Sequence, residues 1–171
     1  VATGQATFTG IVTASAFKLS DGSNVGGVES DAQSNTIGGT DAGINLDSDT
    51  YSNTFFGHSS GKQINSGDGN TALGQYSLQN GTSATGNSIL GYSAGRAITS
   101  GNHNTLLGYE AGTSMTDSAG LTAVGYECMK NATAPGNSAF GNNALKNNTS
   151  NGYNVAVGEW ALRETTSGKR N

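Results

Sequence analysis

Proline and cysteine each occur once in this 171-residue chain, and charged residues are scarce. The single cysteine, Cys128, excludes an internal disulfide framework. Asp, Glu, Lys and Arg together make up 12% of the chain, about half the usual share. The formal net charge is −4 and there is no basic run, so a nucleic-acid partner is not expected. No apolar stretch approaches the roughly 18 residues of a membrane-spanning helix, and no membrane partner is expected. No signal peptide is visible, and the chain opens on Val1, as a piece cut from a longer protein would.

Glycine, by contrast, appears 27 times, alongside abundant Asn, Ser and Thr. This is not linker composition, because the apolar residues recur at fixed places. Units open at Asn35, Asn53, Asn70, Asn87, Asn104, Leu121, Asn137 and Asn154, in steps of 18, 17, 17, 17, 17, 16 and 17, and a further 17 lands on Asn171. Counting the opening residue as position one, position five is always glycine: Gly39, Gly57, Gly74, Gly91, Gly108, Gly125, Gly141 and Gly158. Position four is apolar in all units but the first, where it is Gly38. Position two is Thr or Ser except for Val155, and position eight is always small.

A 17-residue unit is too short for two helices with their turns, and a fixed glycine costs a helix about 1 kcal/mol against alanine. The run before each glycine alternates, as in Thr71-Ala72-Leu73. Period two predicts a strand, with positions two and four on one face and one and three on the other. Stacked in register, like residues sit about 4.8 Å apart and successive strands pair. The expected fold is therefore all-β: a repetitive solenoid or β-roll of about eight coils, roughly 40 Å long at that rise. Gly57, Gly74, Gly91, Gly108, Gly125, Gly141 and Gly158 are the expected corner residues, because glycine accepts positive φ. The polar second half of each unit reads as a turn and a loose return segment, where the 16- and 18-residue steps find room.

Position four is expected to fill the coil core: Phe56, Leu73, Leu90, Leu107, Val124, Phe140 and Val157. Position three is then expected to point outward. It is never charged, which suggests a trimer interface through Phe55, Ala72, Ile89, Leu106, Ala123, Ala139 and Ala156. Its large residues cluster in the early units and its alanines in the late ones, as in a shaft wider at its N-terminal end.

The unit Asn154-Val155-Ala156-Val157-Gly158 resembles the N-S-V-A-I-G head repeat of YadA-like trimeric autotransporter adhesins. That resemblance implies a left-handed parallel β-roll, with Val155 and Val157 internal and Ala156 facing the neighbouring subunits. The present unit is longer, and its second position is usually Thr, which leaves a modified roll or an interwound triple β-helix open. Units such as NTALGQYSL from Asn70 and NTLLGYEAG from Asn104 are more similar to repeats of tail-fibre and tail-spike proteins of tailed phages, especially those of marine cyanobacteria. The stretch TFTGIVTASAFKLSDGSNVGGV, residues 7–28, is similar to a segment of the same proteins. The implied protein is a homotrimeric shaft of a phage tail fibre, located in the virion tail and joined to the remaining fibre domains. It would carry host attachment without a cofactor and without being an enzyme. A bacterial trimeric adhesin head at the cell surface and a polysaccharide-degrading tail spike are the alternatives.

Residues 1–34 read as a β neck or cap followed by a linker, and 35–171 as the stacked-coil shaft. Tyr92, Tyr109 and Tyr126 share position six. They form either a stabilising ring-on-ring ladder or, with Trp160, a candidate contact for host glycans. Glu110 and Glu127, both at position seven and one coil apart, could approach a glycosidase-like carboxyl separation. Plain surface repetition gives the same pattern. Asp41, Asp47 and Asp49 follow no calcium-loop spacing, so no metal site is expected. Cys128 takes a slot filled elsewhere by Ala or Ser and reads as a small buried residue. The Thr column falls short of the paired T-x-T array of ice-binding solenoids, because its partner column is apolar. Host surface glycan or protein is the external partner this reading allows.

Overall fold

The computed structural model of the chain describes residues 28–150 and 152–165. The expected neck strands of residues 1–27, and Asn171, lie outside the described residues. Among the described residues, nine three-residue strands form one sheet in chain order: β1 (Val28–Ser30), β2 (Thr36–Gly38), β3 (Thr54–Phe56), β4 (Thr71–Leu73), β5 (Ser88–Leu90), β6 (Thr105–Leu107), β7 (Thr122–Val124), β8 (Ser138–Phe140) and β9 (Val155–Val157). From β2 to β9 every pairing is parallel and places position two on position two, three on three and four on four. The chain is an all-β solenoid whose strands recur about every 17 residues.

The register survives the odd steps. Thr36 pairs with Thr54 across the 18-residue unit, and Thr122 with Ser138 across the 16-residue one. Both length changes are therefore absorbed outside the strands. Glycine at position five turns the corner: Gly74, Gly91, Gly108 and Gly125 have φ between 132° and 142°. A Cβ on Gly91 would also come within 2.2 Å of the Gly108 carbonyl oxygen. The backbone needs glycine there for both reasons.

Three expectations are corrected. The segment before Asn35 is not a linker, because β1 pairs antiparallel with β2 and covers the first edge of the sheet. The return segment is not loose. Its amides bond successively to neighbouring coils, as from Ala97 to the Thr113 carbonyl at 3.0 Å and from Thr99 to that of Thr116 at 2.8 Å. Most consequentially, the strands face the other way. Phe55, Ala72, Ile89, Leu106, Ala123, Ala139 and Ala156 are 0–2% exposed within the single chain, so they form the core and no interface. Leu90, Leu107, Phe140 and Val157 point outward at 43–71% exposed, and Phe56, Leu73 and Val124 are only partly covered.

The reason for this sidedness lies in position one, which shares the face of position three. Asn35, Asn53, Asn70, Asn87, Asn104, Asn137 and Asn154 are all buried. The Asn53 amide oxygen accepts both the backbone N–H and the Nδ2 of Asn70, at 2.9 and 3.0 Å. Asn70 Nδ2 also donates to the Ala84 carbonyl of its own return segment, at 2.7 Å. The same pattern recurs at Asn87 and Asn104. Each side chain thus ties two coils together and pins the return segment to the strand. Buried amides are tolerated only when satisfied in this way. Outward-facing asparagines would lose those bonds to water.

The interior also holds positions eight, nine and twelve, where residue sizes are reciprocal. Where position three is large, as in Ile37, Phe55, Ile89 and Leu106, position nine is Gly43, Gly61, Gly95 or Gly112. Where position three is Ala72, Ala123, Ala139 or Ala156, position nine is Leu78, Met129, Leu145 or Leu162. A Cβ on Gly61 would meet the Phe55 ring at 2.6 Å, and one on Gly95 would meet Ile89 Cδ1 at 2.9 Å. Position twelve follows the first class, with Leu46, Ile64, Ile98 and Met115 against Gly81, Ala132, Asn148 and Thr165. The large early and small late residues of position three therefore do not imply a taper, because the opposite wall compensates.

Candidate functional surface

Two columns flank the corner glycines, an apolar one on the strand and a mixed one in the turn beyond it. One is position four. The other is position six, where Tyr92, Tyr109 and Tyr126 are 38–49% exposed. Register stacks these rings almost parallel: Tyr92 on Tyr109 at 5.1 Å and 12°, and Tyr109 on Tyr126 at 5.3 Å and 10°. Tyr76 meets Tyr92 edge-on at 6.0 Å, and His58 meets Tyr76 edge-on at 5.3 Å. The inner ring faces are occupied by neighbouring rings, so the ladder presents edges and hydroxyls outward. Burial and the neighbouring Glu110 charge raise the Tyr109 pKa, keeping that phenol protonated well beyond neutral pH. Trp160 lies in the last coil, 58% exposed, with the Arg163 guanidinium 5.1 Å from its ring centre.

Glu110 and Glu127 are brought to one side of the stack, where lysines claim both. Lys130 Nζ lies 2.5 Å from Glu110 Oε2 and 2.8 Å from Glu127 Oε1. Lys146 Nζ bonds the other Glu127 oxygen. Hydrogen bonds from Lys130 and Lys146 hold the Glu127 carboxyl below the usual range, and those to Glu110 and Glu127 raise Lys130. A carboxylate so held is a poor proton donor at neutral pH. Lys130 and Lys146 are functional neighbours that sequence reasoning missed. Their position-ten spacing alongside position-seven glutamates was the available signal.

Asp41 pairs with Lys62 at 2.9 Å, and Asp47 accepts from Thr50 Oγ1 and the Asp49 amide within its own turn. Among the described residues no group of three or more His, Cys, Asp or Glu could hold a metal ion. Cys128 is fully buried, and its thiol, pushed up to about 11 by burial, donates to the Ala139 carbonyl at 3.5 Å. Ser60 makes the equivalent bond to Ala72. A shallow notch of about 290 Å³ sits at the shortened coil, lined by Thr116, Asp117, Ser118, Thr133 and Pro135. The sites expected from sequence thus fall into two groups: the tyrosine ladder with the lysine-bridged glutamates that meet it at Tyr109 and Glu110, and Trp160 in the last coil. In comparisons with known proteins, no family model, no curated protein and no solved structure matches the chain.

Proposed function

We propose that this chain is a rigid segment of a host-attachment fibre of a tailed phage, assembled as a homotrimer in the virion tail, with no catalytic work of its own. The observation that supports this most is the unbroken in-register parallel stack from β2 to β9. Bending such a stack requires many main-chain bonds and the asparagine ladder to yield together, which is what a stiff shaft needs. The resemblance of the NTALG-type units to tail-fibre repeats supports the phage setting. The bridged state of Glu110 and Glu127 argues against a glycosidase. Host glycan or protein would be met by neighbouring fibre domains or by side chains such as Trp160.

Antibodies raised against this chain should decorate thin fibres at virion tails in electron micrographs of the parent particles. Decoration of a bacterial envelope instead would transfer the reading to an adhesin. Release of reducing sugar from host polysaccharide by the purified chain would transfer it to a degrading spike.

A further inference from the structure

We infer that the outward surface made by strand positions two and four and the adjoining turn position six is where further copies of this chain dock. The inference rests on the shaft reading and names the face through which that shaft associates. Parallel sheets occur almost only with both faces covered, because their connections place cover on each side. Here the coil interior covers one face and, among the described residues, nothing covers the other.

That open face is apolar. Leu90, Tyr92, Leu107, Tyr109, Tyr126 and Phe140 are each about two-fifths to one-half exposed. Together they leave on the order of 500 Å² of exposed, mostly apolar surface, comparable with the largest patch of a typical monomer, which is often functional.

Three features select another copy as the occupant. No Asp, Glu, Lys or Arg occupies positions two to five in any of the eight units and position six carries only Glu159, in the last coil, so a charged partner finds almost nothing to pair with. The nearby charges are already paired with one another, in the Glu110–Lys130–Glu127–Lys146 chain, whose Glu110 borders Tyr109, and at Asp41–Lys62. The face comprises three columns of eight residues, 24 in all, which falls within the about 20–30 residues per side of a specific interface. Finally, its ridges repeat at the strand spacing along the rod. A second copy in parallel alignment has the same repeat, so one good contact is reproduced at every coil. The uncharged stripe predicts self-association, as the sequence suggested, but through the position-four face and not through position three.

The test is the mass of the whole 171-residue chain by multi-angle light scattering, for the wild type and for Leu90→Lys/Leu107→Lys. The expected result is an oligomeric wild type and a monomeric double variant with an unchanged circular-dichroism spectrum. Glu164→Lys, away from the strand columns, should leave the oligomer intact. A second measurement covers the case of a misfolded lysine variant. Leu90→Cys should be captured as covalent oligomers by a short bismaleimide, while the wild type, whose Cys128 is fully buried, should not. An oligomer that survives both lysines and gives no Leu90→Cys cross-link overturns the proposed face and leaves the fibre reading standing. A monomeric wild type at high concentration overturns the face and the homotrimer together, whereas antibody decoration away from virion tails overturns only the fibre reading.

Discussion

The second and third coils fill the same interior in opposite ways. The second places Phe55 on the strand and glycine at Gly61, with Ile64 in the return segment. The third places Ala72 on the strand and Leu78 opposite, with Gly81 where Ile64 would recur. A Cβ on Gly81 would meet Ile64 Cδ1 at 2.7 Å, so successive coils interlock as well as each coil within itself. The bulk can come from either wall, provided the other recedes. The backbone permits the exchange because position nine has φ near +50° in both classes: +57° at Gly61 and +48° at Leu78. The buried asparagine and the position-eight serine, Ser60 and Ser77, are common to both.

The largest effect should follow from emptying the strand side of the second coil. Phe55→Ala leaves Gly61 facing a void and should lower unfolding stability by about 3–5 kcal/mol, read as a shift of the denaturant midpoint. Next comes a feature that the two coils share. Asn70→Ala removes the acceptor of two Asn87 donors and frees the Ala84 carbonyl, so a loss of about 2–4 kcal/mol is expected in the same measurement. If Asn70→Ala is neutral, the ladder is not what fixes the strand's orientation.

Converting the third coil into the second class sharpens the comparison. Ala72→Ile alone should cost about 1–3 kcal/mol by overpacking against Leu78. The triple variant Ala72→Ile/Leu78→Gly/Gly81→Ile should recover most of that loss. A triple variant no better than the single one would show that the two classes are not interchangeable.

The smallest effect concerns pH. The Glu127 carboxyl titrates lower in the folded chain than in the unfolded one, chiefly through Lys130 and Lys146. Its contribution is therefore complete above the unfolded value of about 4.5 and is lost as pH falls through the lower folded value. Melting temperatures of wild type and Glu127→Gln should differ slightly at pH 7, and the difference should shrink as pH falls below the ordinary carboxylate range. The group is partly solvated, so a shift of a degree or two is the scale expected.

Much of this architecture is legible in the residues. Glycine every 17 residues, an alternating run before it and an uncharged stripe are enough to predict parallel strands in vertical register. The size reciprocity of positions three, nine and twelve is also written there. It becomes readable only once these three positions are known to share one interior. The first edge shows a finer device. Asp31 stands where a preceding asparagine would, accepting from the Asn35 backbone N–H at 2.8 Å and from Asn35 Nδ2 at 2.9 Å. Burial opposes its ionisation, but those bonds and one from the Gln33 amide outweigh it and hold its carboxyl below the usual value. An acceptor-only side chain suits the end of a ladder. Asp31 sits in a segment whose sequence shows no repeat, so nothing in it signals that role.

The sequence by itself determined the period, the parallel register and the glycine corner, because each follows from local chemistry repeated at constant spacing. It did not determine which side of each strand is the inside. Alternation defines two faces without naming them, and here both are free of charge. The tertiary structure decided between them, because only the closed coil brings the asparagine amides within reach of the return-segment carbonyls. Once those amides turn inward, position three must follow, and position four is left on the surface.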